Sequence, residues 1–262
     1  MTRRDFSVGI IGTGMLGAAL ARALWQARAQ GSALYLSNRS GHLPDLEGFP
    51  ADHLLTDPQA LADACDVIVL CVPPAAARSI QIQATGKLVI SVMAGVPLAE
   101  IVRLTQSSRA ICAMSSPAAA HALAYSPWFA APDVTAQDRS RARAIFEACG
   151  TTDELETEDH LAHFTALTGP VPGFVAACAA AMADHIRAQG IAPEIADRAI
   201  RQLFLGAGQM MAEGPSPATQ VQEMIDYDGT TAAGLRRLQS GPFAREIAAA
   251  LESAVQKTRE IY

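Results

Sequence analysis

The sequence predicts an α/β fold in which a mostly parallel sheet is followed by an all-helical domain. Three observations lead to this prediction. Short β-branched apolar runs alternate with alanine-rich helical patterns up to about residue 150, and such near-continuous apolar strands are typical of a parallel sheet covered on both faces. No convincing strand run follows residue 159. A length of 262 residues suits two unequal domains, which we place at residues 1–154 and 155–262.

Each element of the first domain is predicted from its own apolar pattern. The predicted strands cover residues 7–11, 33–37, 66–72, 87–92 and 109–114, with a weaker sixth at 128–131. The predicted helices between them cover residues 15–29, 57–64, 74–83 and 97–106. In the second domain, Gly and Pro separate helical segments at 174–189, 194–213, 230–240 and 243–260. These later segments are so rich in Ala, Leu and Ile that we expect them to pack against a second copy of the chain.

The amino-acid composition limits the classes of partner that this protein is expected to bind. Half of the residues are hydrophobic and 18% are charged, which favours a large buried core. Twenty basic against twenty-six acidic residues give a net charge of −6 without any basic block, so we expect neither nucleic acid nor membrane as a partner. The longest apolar run, residues 174–183, is too short to cross a bilayer, and a cytoplasmic location is expected. The five scattered cysteines are predicted to be buried and reduced.

The strongest local signal is a glycine pattern between the first strand and the first helix. It fits GxGxxG and consists of Gly12, Thr13, Gly14, Met15, Leu16 and Gly17. In this context the first glycine allows a tight turn, the second lets the backbone approach a pyrophosphate, and the third lets the helix pack closely on the strand. The N–H groups at the start of the helix would face the phosphates. The pattern predicts a Rossmann-type dinucleotide site.

The end of the second strand indicates which dinucleotide binds. A carboxylate here would accept hydrogen bonds from the ribose of NAD, but this chain has Asn38, Arg39 and Ser40. These groups suit the 2′-phosphate of NADP(H), and Arg39 can both pair with that phosphate and stack on adenine. The alternative, a solvated arginine in a loop, is less favoured by its position directly after the second strand.

These motifs and others resemble the pyrroline-5-carboxylate reductase family over nearly the whole chain. The resemblance includes GTGMLG at 12–17, SNRS at 37–40 and ISVMAGV at 90–96, and continues in ALTGPVPGF at 166–174. It ends in DGTTAAGL at 228–235, which is the most specific segment because a generic nucleotide fold predicts nothing there. The resemblance implies an NADP(H)-binding Rossmann domain, a helical dimerisation domain, and reduction of a small imine by hydride transfer.

The resemblance also implies roles for particular residues. Thr231 would be the catalytic hydroxyl near the imine nitrogen, while Gly229 and Thr230 would offer backbone amides to the substrate. Asp226 and Ser116 complete the predicted substrate set, with the threonine pair coming from the other chain of a homodimer or higher homo-oligomer. Further cofactor contacts are expected at the ends of the third and fourth predicted strands, from Val72, Pro73, Ala94 and Gly95. The alternative for Gly229 to Thr231 is ordinary helix capping.

The substrate half departs from the family pattern. Asp226-Tyr227-Asp228-Gly229 stands where the family has SPGG, so two carboxylates flank a loop expected to hold an anion. Like charges 4 Å apart repel by about 4 kcal/mol at an effective dielectric near 20. Unless these carboxylates turn away or pair with Arg236 or Arg237, a carboxylate substrate is disfavoured.

Other functions remain as alternatives. One is a carbonyl or hydroxyacid reductase on the same scaffold, although no helical-domain lysine is placed to take a hydroxyl proton. Another is a non-catalytic NADP-binding protein. His160 and His163 are spaced to share a metal, but no further ligand stands close in sequence, so no metal is expected.

Overall fold

The structure is a computed structural model that describes residues 6–27, 33–42, 45–168 and 173–262. The chain divides into two compact units. The first comprises Met1–Val171 together with Glu252–Tyr262, and the second comprises Pro172–Leu251. This division differs from the predicted domains, because residues after 154 and the last residues of the chain pack with the sheet.

A seven-stranded sheet forms the centre of the first unit and confirms the predicted fold class. Its order is β3-β2-β1-β4-β5-β6-β8, with every neighbouring pair parallel except the antiparallel pair β6 and β8. The strands are β1 (Val8–Ile11), β2 (Leu34–Ser37), β3 (Leu54–Leu55), β4 (Val67–Leu70), β5 (Leu88–Ser91), β6 (Ala110–Ala113) and β8 (Trp128–Ala130). A separate parallel pair joins β7 (Ala124–Tyr125) to β9 (Gly150–Thr151).

Continuous apolar strands place a hydrophobic core on each face of this sheet. All residues of β1, β4, β5 and β6 are buried, as expected for strands covered on both sides. One face packs around Leu20, Trp128 and Phe146. The other packs around Leu61 and Ile101. The sheet is therefore a rigid platform for the loops at its carboxyl edge.

Among the described residues, five α-helices lie wholly within the first unit. They are α1 (Met15–Gln26), α2 (Pro58–Ala64), α3 (Leu98–Thr105), α4 (Ala136–Glu147) and α5 (Glu158–Thr168). The side chain of Asp57 caps α2 by accepting from the Gln59 amide at 2.9 Å. Three bonds from Lys87 Nζ to the carbonyls of Ala62, Asp63 and Cys65 close the other end of α2, as a cation does favourably at a helix C-terminus.

A buried ion pair ties α4 to the sheet. The Asp138 carboxylate is fully buried, accepts from Thr135 in a capping box at the start of α4, and accepts from both Arg109 Nε (2.9 Å) and Nη2 (2.5 Å). Burial alone would raise the pKa of this carboxyl, but the hydrogen bonds from Arg109 and Thr135 outweigh it and hold the pKa below its usual range.

The second unit is helical throughout the residues that the structure describes in it. Its helices are α6 (Gly173–Arg187), α7 (Pro193–Glu213), α8 (Pro217–Asp226), α9 (Thr230–Ser240) and most of α10 (Phe243–Arg259). Arg187 pairs with Asp184 on its own helix and with Asp197, which joins α6 to α7. Many large apolar side chains are exposed here, among them Val175, Met182, Leu203, Leu205, Met210, Met211 and Phe243.

The composition of residues 158–187 is unusually apolar. By length and composition alone, the stretch Glu158–Arg187 could cross a membrane, and it includes residues 169–172, which lie outside the described part of the chain. The apolar run at 174–183, which by itself is too short to cross a bilayer, thus lies within a longer apolar stretch. The resembling segment ALTGPVPGF at 166–174 also falls partly on those undescribed residues.

Two helix predictions were wrong. Residues 74–83 form a 3-10 turn only over Pro74–Ser79. The backbone beyond this turn forms hydrogen bonds to other parts of the chain instead of continuing as a helix. The Gln83 amide donates to Gln59 Oε1 at 2.8 Å, and the Ala84 amide donates to the Thr105 carbonyl at 2.8 Å. In the second unit, α8 was missed, although Ser216 followed by proline at the first helical position is a start signal.

Candidate functional site

The predicted glycine turn has the backbone geometry of a dinucleotide site. Gly12 has φ +98°, and a Cβ there would lie 2.4 Å from the Cys71 carbonyl oxygen. A Cβ on Gly17 would lie 1.9 Å from the Gly12 carbonyl oxygen, so the helix packs directly on the turn. Only glycine fits at these two positions.

Gly14 differs from the other two glycines because it faces open space. A Cβ there would meet no atom within 4 Å, so internal packing does not require a glycine at this position. Gly14 is also the N-cap of α1, where no side chain caps the helix and no acidic residue lies in the first turn. The N–H groups at this helix start are thus directed at the same open space, where they favour an anion.

The loop after β2 is held in place by its own side chains. Asn38 Nδ2 donates to Thr13 Oγ1 at 2.7 Å and to the His42 carbonyl at 2.9 Å. Ser40 Oγ donates to Asn38 Oδ1 at 3.1 Å. Arg39 is exposed and forms no ion pair with any described residue, so its charge is available to a ligand.

The glycine turn and this loop share one cavity of about 420 Å³. We call it the glycine-turn cavity. Its lining consists of Ile11, Gly12, Thr13, Gly14, Ser37, Asn38, Arg39, Ser40, Thr56, Pro58, Val72, Pro73, Ala76, Ser79 and Ile80. No described residue of this lining is acidic. The exposed Arg39 and the open backbone at Gly14 together favour a ligand whose adenosine ribose carries a phosphate. A ribose with a free diol at that position would need a carboxylate to bind it, and this lining has none.

The remaining predicted cofactor residues lie outside this lining. Met15 is exposed, Leu16 packs against the core, and Gly17 acts through packing. Gly95, beside the half-buried Ala94, has φ +73°, and a Cβ there would lie 2.6 Å from the Thr258 carbonyl oxygen. Gly95 lines a different cavity of about 380 Å³ with residues of β6, α5 and the end of α10.

Sequence reasoning missed part of the glycine-turn cavity. Thr56 lines it from the residue after β3, and Ala76, Ser79 and Ile80 line it from the 3-10 turn that replaces the predicted helix at 74–83 and the residue after it. The proline pair at 73–74 marks where this turn starts, but it does not distinguish a 3-10 turn from the first turn of an α-helix.

The predicted threonine pair lines a cavity of about 440 Å³ within the second unit. We call it the threonine cavity. It is lined by Met210, Gly214, Pro215, Gln220, Glu223, Met224, Tyr227, Gly229, Thr230 and Thr231. Helix α9 begins at Thr230, its N-cap Gly229 receives no side-chain cap, and its first turn holds no acidic residue. The structure therefore brings together Gly229, Thr230 and Thr231 as predicted residues of one site.

Asp226, Asp228 and Ser116 do not line the threonine cavity. Asp226 accepts a hydrogen bond from Gln222 Nε2 at 2.8 Å. Asp228 pairs with Arg236 at 2.6 Å, which is one of the two arrangements left open by the sequence. Ser116 belongs to the first unit, where it is buried beside a hydrogen-bonded pair formed by Ser115 and Ser126 at 2.9 Å.

The cysteines and histidines form no reactive cluster. Four thiols are buried, while Cys178 is half-buried. Burial raises the pKa of Cys65, Cys71 and Cys149 to about 12, so these thiols stay protonated at neutral pH. Among the described residues, no group of three or more His, Cys, Asp or Glu side chains could hold a metal ion, and His160 and His163 are not joined by further ligands.

Comparison with known proteins gives a match in each part of the chain. Residues 158–261 match the family model described as pyrroline-5-carboxylate reductase dimerisation, and residues 7–95 match the model described as NADP oxidoreductase coenzyme F420-dependent. The chain is 29% identical over 221 residues to pyrroline-5-carboxylate reductase of Pseudomonas aeruginosa, covering 81% of this chain and 80% of the relative. It is 27% identical to pyrroline-5-carboxylate reductase 2 of Bacillus subtilis, covering 97% and 94%.

A solved structure shows the same fold. Plasmodium falciparum pyrroline carboxylate reductase, solved with NADP bound, aligns with a TM-score of 0.79 at 22% identity, covering 98% of this chain and 99% of that chain. The fold and the glycine-turn cavity define an oxidoreductase with a dinucleotide-binding sheet and a helical second part. More particularly, its helical part matches a pyrroline-5-carboxylate reductase dimerisation model, and the curated relatives that it resembles along most of its length are pyrroline-5-carboxylate reductases.

Proposed function

We propose that this chain is an NADPH-dependent reductase of a small imine. The observation that carries the proposal is the glycine-turn cavity, in which an open Gly14 and an unpaired Arg39 face the same space. Similarity to curated proteins supports the same reaction, because the Pseudomonas and Bacillus relatives are pyrroline-5-carboxylate reductases. The residues of this chain fit NADP(H) as cofactor.

The residues of the glycine-turn cavity contribute to the reaction by holding the cofactor in position. The amides at the start of α1 would hold the pyrophosphate beside Gly12 and Gly14, and Arg39 with Ser40 would hold the 2′-phosphate. Val72 and Pro73 close the far wall of the same cavity. NADPH bound there supplies the hydride. We keep Met15, Leu16, Ala94 and Gly95 in the proposed cofactor set because they lie at the carboxyl edge of the sheet or at the start of α1.

The substrate half works through the start of α9. The reaction needs no strong base, because the imine nitrogen gains a proton. We propose that the Thr231 hydroxyl orients the substrate nitrogen and that the amides of Gly229 and Thr230 bind polar substrate atoms, in this chain or from a second copy. The uncapped helix start and the threonine cavity support this assignment. We also propose Asp226 and Ser116 as substrate contacts, and neither of them lines the threonine cavity.

We further propose that the helical part mediates homo-oligomer formation. The match to the dimerisation model over residues 158–261 supports it, as do the exposed apolar side chains of α6 and α7. The proposed module boundary near residue 155 lies close to the start of that match. A soluble, cytoplasmic homodimer or larger homo-oligomer would cover the apolar stretch at 158–187 with a second copy.

The test is an NADPH-oxidation screen against 1-pyrroline, pyrroline-5-carboxylate and pyrroline-2-carboxylate, with ketones and 2-oxo acids assayed beside them. We expect turnover of at least one imine, with slower oxidation by NADH and by carbonyl substrates. Thr231→Val removes the hydroxyl but keeps the shape, and should lower kcat by about 100-fold, the lower range for a positioned proton donor. Thr231→Ser is the matched control and should retain most activity.

Three results would contradict the proposal. Turnover of carbonyl compounds but not imines would make the protein a carbonyl reductase. Tight NADPH binding without turnover of any imine would make it a non-catalytic NADP-binding protein. Full activity in Thr231→Val would remove the threonine from the reaction.

A further inference from the structure

The lining of the threonine cavity carries an unusual set of groups beside the threonine pair. Its one ionisable acid is Glu223, and its described lining contains no Lys, Arg or His. Two methionines, Met210 and Met224, supply apolar surface. The phenol ring of Tyr227 lies against the turn, because a Cβ on Gly229 would lie 3.3 Å from its Cδ1 atom. A carboxylate, an aromatic ring and thioethers form a surface suited to a cation with apolar substituents.

The neighbouring charges leave this carboxylate uncompensated. Asp228 is paired with Arg236 at 2.6 Å, and the same guanidinium donates to the Ile225 carbonyl at 3.3 Å. Asp226 is hydrogen-bonded to Gln222 and stays outside the cavity. The Glu223 side chain forms no hydrogen bond or ion pair with the described residues. Its carboxylate is therefore the one unpaired charge in the described lining of the cavity.

We propose that Glu223 determines the substrate class of this protein, favouring a protonated cyclic imine without a carboxylate over pyrroline-5-carboxylate. The inference rests on the proposed function, since it assumes that the substrate binds beside Thr231. A protonated imine is attracted to the Glu223 carboxylate and to the face of Tyr227. A substrate carboxylate placed at the amides of α9 is repelled by the same group, and no arginine or lysine in the described lining offsets that repulsion.

The size of the effect follows from exposure. Glu223 lies on a helix without buried residues, so solvent screens its charge. We expect a preference of about tenfold rather than the several-hundredfold that a buried carboxylate would impose. Tenfold in kcat/KM corresponds to about 1.4 kcal/mol.

The experiment compares kcat/KM for 1-pyrroline and pyrroline-5-carboxylate in the full-length protein with NADPH. We expect 1-pyrroline to be preferred, and Glu223→Gln to raise kcat/KM for the carboxylate about fivefold to tenfold while lowering it for 1-pyrroline. Glu194→Gln is the matched control, because Glu194 is an exposed glutamate of the same unit outside the cavity. It should leave the ratio of the two substrates unchanged.

A binding measurement separates this inference from the proposed function. Calorimetric titration of the NADP⁺-loaded protein with pyrrolidine, a cation, and with proline, which carries a carboxylate, needs no turnover. Preference for pyrrolidine that Glu223→Gln abolishes supports the inference even if no imine is reduced. Equal binding of both amines, preference for proline, or an equal change in both substrates in Glu223→Gln overturns it, whether or not an imine reductase activity is found.

Discussion

Replacing Gly14 and Gly17 by alanine, one at a time, separates two roles within a single turn. A methyl group on Gly14 points into the glycine-turn cavity and meets no protein atom within 4 Å. The same methyl group on Gly17 would lie 1.9 Å from the Gly12 carbonyl oxygen. The two variants differ by position alone, so each is the control for the other.

The magnitudes follow from these distances. A carbon to oxygen contact normally measures about 3.3 Å or more, so α1 must move away from β1 in Gly17→Ala. Such overpacking costs about 1–3 kcal/mol, partly offset by the better helix propensity of alanine. We expect a net loss of about 2 kcal/mol and a fall in Tm of about 4–8 °C. Gly14→Ala should keep the Tm of the cofactor-free protein and lower NADPH affinity at least about tenfold, or about 1.4 kcal/mol.

The assay pairs thermal unfolding without cofactor, followed by circular dichroism, with calorimetric titration of NADPH. Wild-type affinity for NADPH in Gly14→Ala would refute the assignment of this turn to the pyrophosphate. Wild-type Tm in Gly17→Ala would refute the packing argument. Loss of stability in both variants would show that the turn as a whole is structural.

Three further predictions concern cofactor choice and stability. Arg39→Ala should weaken NADPH binding about 10- to 100-fold, since a hydrogen bond to a charged group contributes about 1.5–3 kcal/mol. The same variant should leave NADH binding unchanged. Equal losses for both cofactors would contradict a role of Arg39 in binding the 2′-phosphate. Asp138→Asn should lower the free energy of unfolding by about 3 kcal/mol at pH 7 in urea titration, because Arg109 loses its buried partner. The folded-state pKa of Asp138 lies below its ordinary value of 3.8. The difference in unfolding free energy between Asp138→Asn and wild type should therefore persist above pH 4 and vanish as pH falls through the folded pKa. A difference that does not change with pH would show that ionisation of Asp138 is not its cause. Lys87→Met should cost about 1 kcal/mol by freeing the carbonyls at the end of α2, and an unchanged urea midpoint would show that water replaces the ammonium group without loss.

The sheet and the cofactor turn could be predicted because their signals are local. An apolar run such as residues 66–72 has to be buried on both faces, and the spacing of Gly12, Gly14 and Gly17 follows from backbone geometry alone. The antiparallel β8 was the weakest predicted strand, and its place beside β6 depends on a turn that the apolar pattern does not encode.

The remaining features depend on contacts between distant residues. The pattern at 74–83 is compatible with a helix until Gln59, which lies 24 residues before Gln83 in the chain, binds the Gln83 backbone. Likewise, the pairing of Asp228 with Arg236 was one of two open arrangements, and only the fold decided between them. The position of Glu223 beside the threonine pair depends on how α8 meets α9, and α8 itself was missed.

The uneven exposure of the five cysteines has a practical consequence. Four are buried, and the pKa of three of these thiols is raised to about 12, so Cys178 on α6 is the thiol that a maleimide reagent at neutral pH should modify first in an isolated chain. Cys178 also lies in the apolar stretch that the proposed homo-oligomer covers with a second copy, so its modification should require the subunits to separate. The labelling rate, measured against protein concentration, would therefore report how often the subunits dissociate.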